Sequence, residues 1–168
     1  VRCGAFNNTD GGWDDKSENP VLEDCVALRN KRNYRFWSVP GPARLTNCVA
    51  AHAELYGGTG EASGIWAGHG GHVICNHCTI YNNPIGIDVI AKDDERTRIE
   101  LRDCIVAADV EQVLYERTGA GVVDDASSVV VDGSAGLGAA GLENPHPDWE
   151  GEDASFNSMQ FRGKGFLS

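Results

Sequence analysis

An all-β solenoid of short stacked strands is the fold class this sequence predicts, and three observations predict it. A cysteine-centred motif recurs along the chain at intervals of 22, 23, 30 and 26 residues. Around each copy the apolar residues alternate with period 2 and are broken by Asx or Gly turns. No stretch carries a cap followed by a long face of helical spacing. The 168 residues suffice for one domain, and 41% hydrophobic with 23% charged is ordinary globular composition.

Five of the six cysteines share one context. The copies are Cys3-Gly-Ala5-Phe-Asn-Asn8, Cys25-Val-Ala27-Leu-Arg-Asn30, Cys48-Val-Ala50-Ala-His-Ala53, Cys78-Thr-Ile80-Tyr-Asn-Asn83 and Cys104-Ile-Val106-Ala-Ala-Asp109. Leu22, Leu45, Cys75 or Leu101 stands three residues before each of the last four, and Asp24, Asn47, His77 or Asp103 one residue before. A second half-repeat trails the first: Gly64-Ile65-Trp66-Ala67 matches Gly86-Ile87-Asp88-Val89. Arg35-Phe36-Trp37-Ser38 and Gln112-Val113-Leu114-Tyr115 match it more loosely. Repeats of this length stack each coil on the one below, about 4.8 Å away, so that like side chains form ladders. A thiol suits a tight interior column, and Asn suits a turn because it tolerates left-handed backbone.

The pattern Leu-x-Asn-Cys-x-Ile-x-x-Asn followed by Gly-Ile-x-Val resembles the right-handed parallel β-helix proteins of the pectate-lyase-like superfamily, over roughly residues 1–115. The resemblance implies about five to six coils with right-handed winding, a weaker last coil falling at Val129-Val-Val131-Asp-Gly-Ser134. Coils are expected over residues 1–135 and an irregular wrapping or capping tail over 136–168, its Trp149, Phe156, Phe161 and Phe166 covering an open end or side. The pattern already runs at Cys3, so the expectation is a piece of a longer solenoid or a cap supplied by another molecule.

Cys75-Asn-His-Cys78, with His69 and His72 upstream, has the residue types of a zinc or redox site. The repeat gives a simpler account. Cys75 takes the Leu position, Cys78 the ladder position and His77 the turn position, and the thiols are expected buried and unbridged. Gly68-His-Gly-Gly71 lacks phosphate-loop spacing and reads as a glycine turn.

With Phe36, Ile65 and Ile87 inward, Trp37, Trp66, Asp88 and Leu114 form an outward column. Two indole faces and a carboxylate suit the apolar faces and hydroxyls of sugars, so Trp37, Trp66 and Asp88 are the expected ligand-binding residues. Coverage of these tryptophans by loops or a partner is the competing expectation. Lyases of the resembled superfamily imply a Lys or Arg base and calcium held by acidic residues. Arg29 and His52 share a column four residues past the ladder cysteine, and Lys92 lies in the charged loop Lys92-Asp-Asp-Glu-Arg-Thr-Arg98. These three are the catalytic candidates; no family catalytic motif is matched residue by residue. Asp14-Asp15 and Asp93-Asp94-Glu95 offer oxygen ligands for calcium, the only cofactor suggested. No metal site is assigned.

A formal charge of −11 argues against nucleic-acid or anionic-membrane partners, and no apolar run approaches the roughly 20 residues of a membrane span. The expected function is an extracellular or surface module directed at a polysaccharide or cell-surface glycan, as a segment of a polysaccharide lyase or glycoside hydrolase. The alternative is a non-catalytic structural solenoid, such as a filament subunit, adhesin or tailspike segment, that associates head-to-tail or as a trimer.

Overall fold

The computed structural model describes residues 2–37, 41–57, 59–90, 97–107, 112–117, 121–124 and 128–131. Side chains are described throughout these ranges except in 112–117, 122–124 and 129–131. Every regular element among them is a strand. The first coil holds β1 (Gly4–Phe6), β2 (Gly11–Asp15) and β3 (Val21–Glu23), and the second β4 (Val26–Leu28), β5 (Arg32–Trp37) and β6 (Ala43–Thr46). The third holds β7 (Val49–Ala51), β8 (Ser63–Gly68) and β9 (His72–Asn76), and the fourth β10 (Thr79–Tyr81), β11 (Ile85–Ile90) and β12 (Arg98–Arg102). Beyond these four coils the backbone continues through β13 (Ile105–Ala107), β14 (Gln112–Arg117), β15 (Gly121–Asp124) and β16 (Val129–Val131).

Each coil contributes one strand to each of three parallel sheets, ordered β1-β4-β7-β10-β13-β16, β2-β5-β8-β11-β14 and β3-β6-β9-β12-β15. The chain is therefore an all-β parallel solenoid. The repeat motif straddles one corner of it. Leu22, Leu45, Cys75 and Leu101 are register partners in the third sheet, and the ladder cysteines precede the first-sheet strands of the next coil. Asp24, Asn47, His77 and Asp103 turn the corner between them, all at φ between 50° and 53°. A second corner column, Asn7, Arg29, His52 and Asn82, is also left-handed, at φ between 46° and 56°. Asn and Asp adopt this region at least cost, which explains their recurrence at both corners.

The interior is a set of ladders. Ala5, Ala27, Ala50, Ile80 and Val106 stack in the first sheet beside the cysteines, while Tyr34, Ile65 and Ile87 stack in the second. Cys25, Cys48, Cys75, Cys78 and Cys104 are buried, Cys3 is half-buried, and all six are free thiols. The Sγ–H groups of Cys25, Cys48, Cys78 and Cys104 donate to main-chain carbonyls, as from Cys25 to Glu23 O at 3.3 Å and from Cys104 to Arg102 O at 3.2 Å. Burial, reinforced by its thiol neighbours Cys104, Cys48 and Cys75, holds Cys78 well above the usual thiol range.

An amide ladder runs inside the corner between the first and second sheets. Asn30 donates to Ala5 O at 2.9 Å and Asn83 to Ala50 O at 3.0 Å. In the third coil this column holds Ala53. Asn33 of the second coil fills the gap: it accepts from Asn30 Nδ2 at 2.9 Å and donates to Ala51 O at 2.9 Å and Asn83 Oδ1 at 3.1 Å. The equivalent place beneath Asn30 is Gly12 and beneath Asn83 is Gly64, where a Cβ would lie 2.5 Å and 2.7 Å from the amide nitrogens. All three asparagines are fully buried, so these hydrogen bonds satisfy groups that water cannot reach.

The expected tail, with Trp149, Phe156, Phe161 and Phe166, lies outside the described residues. No helix of the described residues is long and apolar enough to cross a membrane.

Candidate functional site: the outer face of the second sheet

The second sheet carries the chemistry the repeat does not require. Main-chain pairing aligns Asp14 with Arg35, Arg35 with Trp66, Trp66 with Asp88, and Asp88 with Tyr115. The expected column of Trp37, Trp66, Asp88 and Leu114 is corrected here. Trp37 pairs with Gly68, two residues along, and Leu114 pairs with Ile87. The inward residues of β5 are Tyr34 and Phe36, and main-chain pairing sets Tyr34, not Phe36, opposite Ile65. A period of 2 fits either choice of partner for Ile65.

The two tryptophans still meet, diagonally, with ring centroids 4.6 Å apart. Gly68 permits it, because a Cβ there would lie 2.3 Å from the Trp66 ring. The glycine turn forms as expected. His69 and Gly70 both have positive φ, and Gly71 N–H donates to Gly68 O at 3.0 Å. It lays the His69 ring on Trp37, 4.5 Å between centroids and 12° between planes.

Guanidinium groups complete the stack. Arg35 lies 4.5 Å from the Trp37 centroid and 5.6 Å from that of Trp66, and Arg32 lies 5.6 Å from Trp66. Lys16 Nζ stands 5.7 Å from Trp37. Contacts of this kind contribute about 0.5–2 kcal/mol each, more as water is excluded. Arg35 Nη1 also donates to Asp10 Oδ2 at 2.9 Å and Asp14 Oδ2 at 3.0 Å. Arg35 Nε and Trp37 Nε1 are shielded from solvent and have no hydrogen-bond partner among the described residues.

The expected platform is consequently more closed than two bare indoles. Trp66 is only 5% exposed and Asp88 is fully buried, whereas Trp37 is half-buried. The arginines cover Trp66, and they are the residues sequence reasoning missed. Arg35 stood in the quoted half-repeat, but the two-residue slip placed Trp37 rather than Arg35 beside Trp66.

The other candidates lie elsewhere. Arg29 and His52 share their corner column as expected, and its left-handed backbone explains the positions they hold. His52 Nδ1 is 3.0 Å from Asn82 Nδ2, its ring stands edge-on to Tyr81, and Arg29 O accepts from Tyr56 at 2.6 Å. Lys92 and Asp93-Asp94-Glu95 lie outside the described residues. Asp14 and Asp15 do not converge as calcium ligands: Asp14 is bound to Arg35, while Asp15 Oδ1 accepts from Ser17 N at 2.7 Å. The zinc reading of Cys75 and Cys78 fails on placement. Both thiols point into the core, His69 stacks on Trp37, and His72 Nε2 lies 2.8 Å from Glu100 on the third sheet. No group of three or more metal-ligating side chains occurs among the described residues.

Comparison with protein-family models, curated proteins and solved structures found no significant match to this chain.

Proposed function

We propose that this solenoid is a glycan-binding module of the pectate-lyase-like kind, working outside the cell or on a surface, with the outer face of β2, β5 and β8 as its binding strip. The observation that carries this reading is the cluster of Trp37, Trp66, His69 and Arg35 bordered by the carboxylates of Asp10 and Asp14. Aromatic rings offer an apolar surface to the C–H faces of a sugar, and adjacent carboxylates accept hydrogen bonds from its hydroxyls. The strip crosses strands stacked about 4.8 Å apart, so it runs along the solenoid axis as an extended polymer would. Rigid ladders underneath hold the side chains in place, which lowers the ordering cost of binding.

The reading is tested by affinity electrophoresis through gels containing a panel of soluble polysaccharides. Retardation of the wild-type chain by at least one polymer, lost in Trp37→Ala, supports it. Equal mobility in every gel contradicts it. The same panel, followed by ultraviolet absorbance of the products, tests the lyase assignment.

A further inference from the structure

Resting on the glycan reading above, we infer that the strip selects a neutral, hydroxyl-rich glycan, with Asp10 and Asp14 as its specificity-determining acceptors and Arg35 as their positioning residue. The two signs of charge on this face differ in how far they reach solvent. The side chains of Arg32 and Arg35 are only 14% and 15% exposed, pressed against the Trp66 and Trp37 rings. Their partners Asp10 and Asp14 are 61% and 34% exposed. The two guanidinium groups are thus packed against indoles, and their carboxylate partners face outward. A uronate or sulfate approaching this strip meets carboxylates first, on a chain whose formal charge is −11. A neutral sugar meets the same carboxylates as acceptors for its hydroxyl protons.

Arg35 fixes how they are presented. One Nη1 holds Oδ2 of both Asp10 and Asp14, and Arg32 Nη1 reaches Asp10 Oδ1 at 3.4 Å, so each carboxylate is fixed while keeping further lone pairs for a hydroxyl donor. Asp10 lies on the turn before β2 and Asp14 within it, so one guanidinium in β5 ties two acceptors of the coil below. Lys16, exposed beside Trp37, is the cation available to an anionic ligand on this strip. With Asp10, Asp14 and Asp15 set against Arg32, Arg35 and Lys16, the strip carries no excess of cations for an anionic ligand.

Calorimetric titration of the full chain with neutral β-glucan, xylan, polygalacturonate and a sulfated polysaccharide, each at low and high salt, tests this. The expected result is binding to a neutral polymer with affinity unchanged by salt. Asp10→Asn and Asp14→Asn should each weaken it several-fold, and Arg35→Lys should weaken it through both acceptors. Asp10 is mostly exposed, so Asp10→Asn keeps the test valid should Asp14→Asn unfold the strip; circular dichroism distinguishes the two. Tighter, salt-sensitive binding of an anionic polymer overturns the inference and leaves the glycan reading standing. Neutral binding unaffected by Asp10→Asn and Trp37→Ala overturns the assignment of the strip. Failure of every polymer to bind overturns both.

Discussion

Asn33 Nδ2 donates to Asn83 Oδ1 across 3.1 Å, joining the second coil to the fourth through the gap that Ala53 leaves in the amide ladder. The two residues are 50 positions apart, and neither touches water. Asn33→Ala takes the Asn33 acceptor from the buried Asn30 N–H and one of two partners from Asn30 Nδ2, Ala51 O and Asn83 Oδ1. A stranded buried donor costs about 1–3 kcal/mol and each other lost bond about 0.5–1.5 kcal/mol, so a loss of roughly 2–4 kcal/mol in urea unfolding is expected after partial relaxation. Ala53→Asn alone crowds the Asn33 amide. The double variant Asn33→Gly with Ala53→Asn restores the pattern of the other coils and should be more stable than either single variant. Additive losses would show that the two positions do not share the slot.

Gly68 is the second position where one missing methyl group shapes the molecule. Gly68→Ala places a Cβ against the Trp66 ring and should push that ring away from Trp37. A lowered melting temperature together with altered near-ultraviolet circular dichroism is expected. Gly57, whose added Cβ would meet nothing within 4 Å, has positive φ, so its alanine variant reports backbone strain alone.

The thiols make a chemical prediction. Five cysteines are buried and Cys3 is half-buried. Ellman's reagent should label no more than one thiol per folded chain, the one lost in Cys3→Ser, and all six after denaturation. Rapid labelling of Cys78 in the folded chain would contradict its place between Cys48 and Cys104.

Glu100 governs a pH dependence on the third sheet. Partial burial raises its pKa, but hydrogen bonds from His72 and Arg102 and the charge of Arg98 outweigh this and hold the carboxyl below the usual range. Its folded pKa lies below its unfolded one. The stabilisation is therefore complete above about pH 4.3 and is lost as pH falls through the folded value. Glu100→Gln should be less stable than wild type at pH 7, and the difference should narrow steadily below pH 4. A gap that persists unchanged at pH 2.5 would mean that the charge is not what matters.

Much of the fold was legible because a solenoid repeats its constraints. Each ladder cysteine, and each left-handed Asp, Asn or His before it, restates one corner, and Trp66 with Asp88 follows the better-matched half-repeats. Register in β5 was not legible, since Tyr34 and Phe36 both suit an inward site and only the pairing of Asn33 with Asn83 decides between them. The third sheet was also hidden, because its strands end inside the cysteine motif rather than in a motif of their own. The stack of Arg35 on Trp37 and Trp66 depends on that register, and a pattern of hydrophobic residues carries no signal for a guanidinium lying flat on a ring.

A ligand bound on the proposed strip would report through Trp37 and Trp66. Intrinsic tryptophan fluorescence during titration with a retained polysaccharide tests this, because Trp37 lies on the strip and Trp66 packs against it. A saturable change in wild type that is abolished in Trp37→Phe with Trp66→Phe, while binding by calorimetry weakens at least tenfold, is the predicted result. Saturable binding of undiminished affinity in that double variant would contradict the claim and place the surface elsewhere on the solenoid.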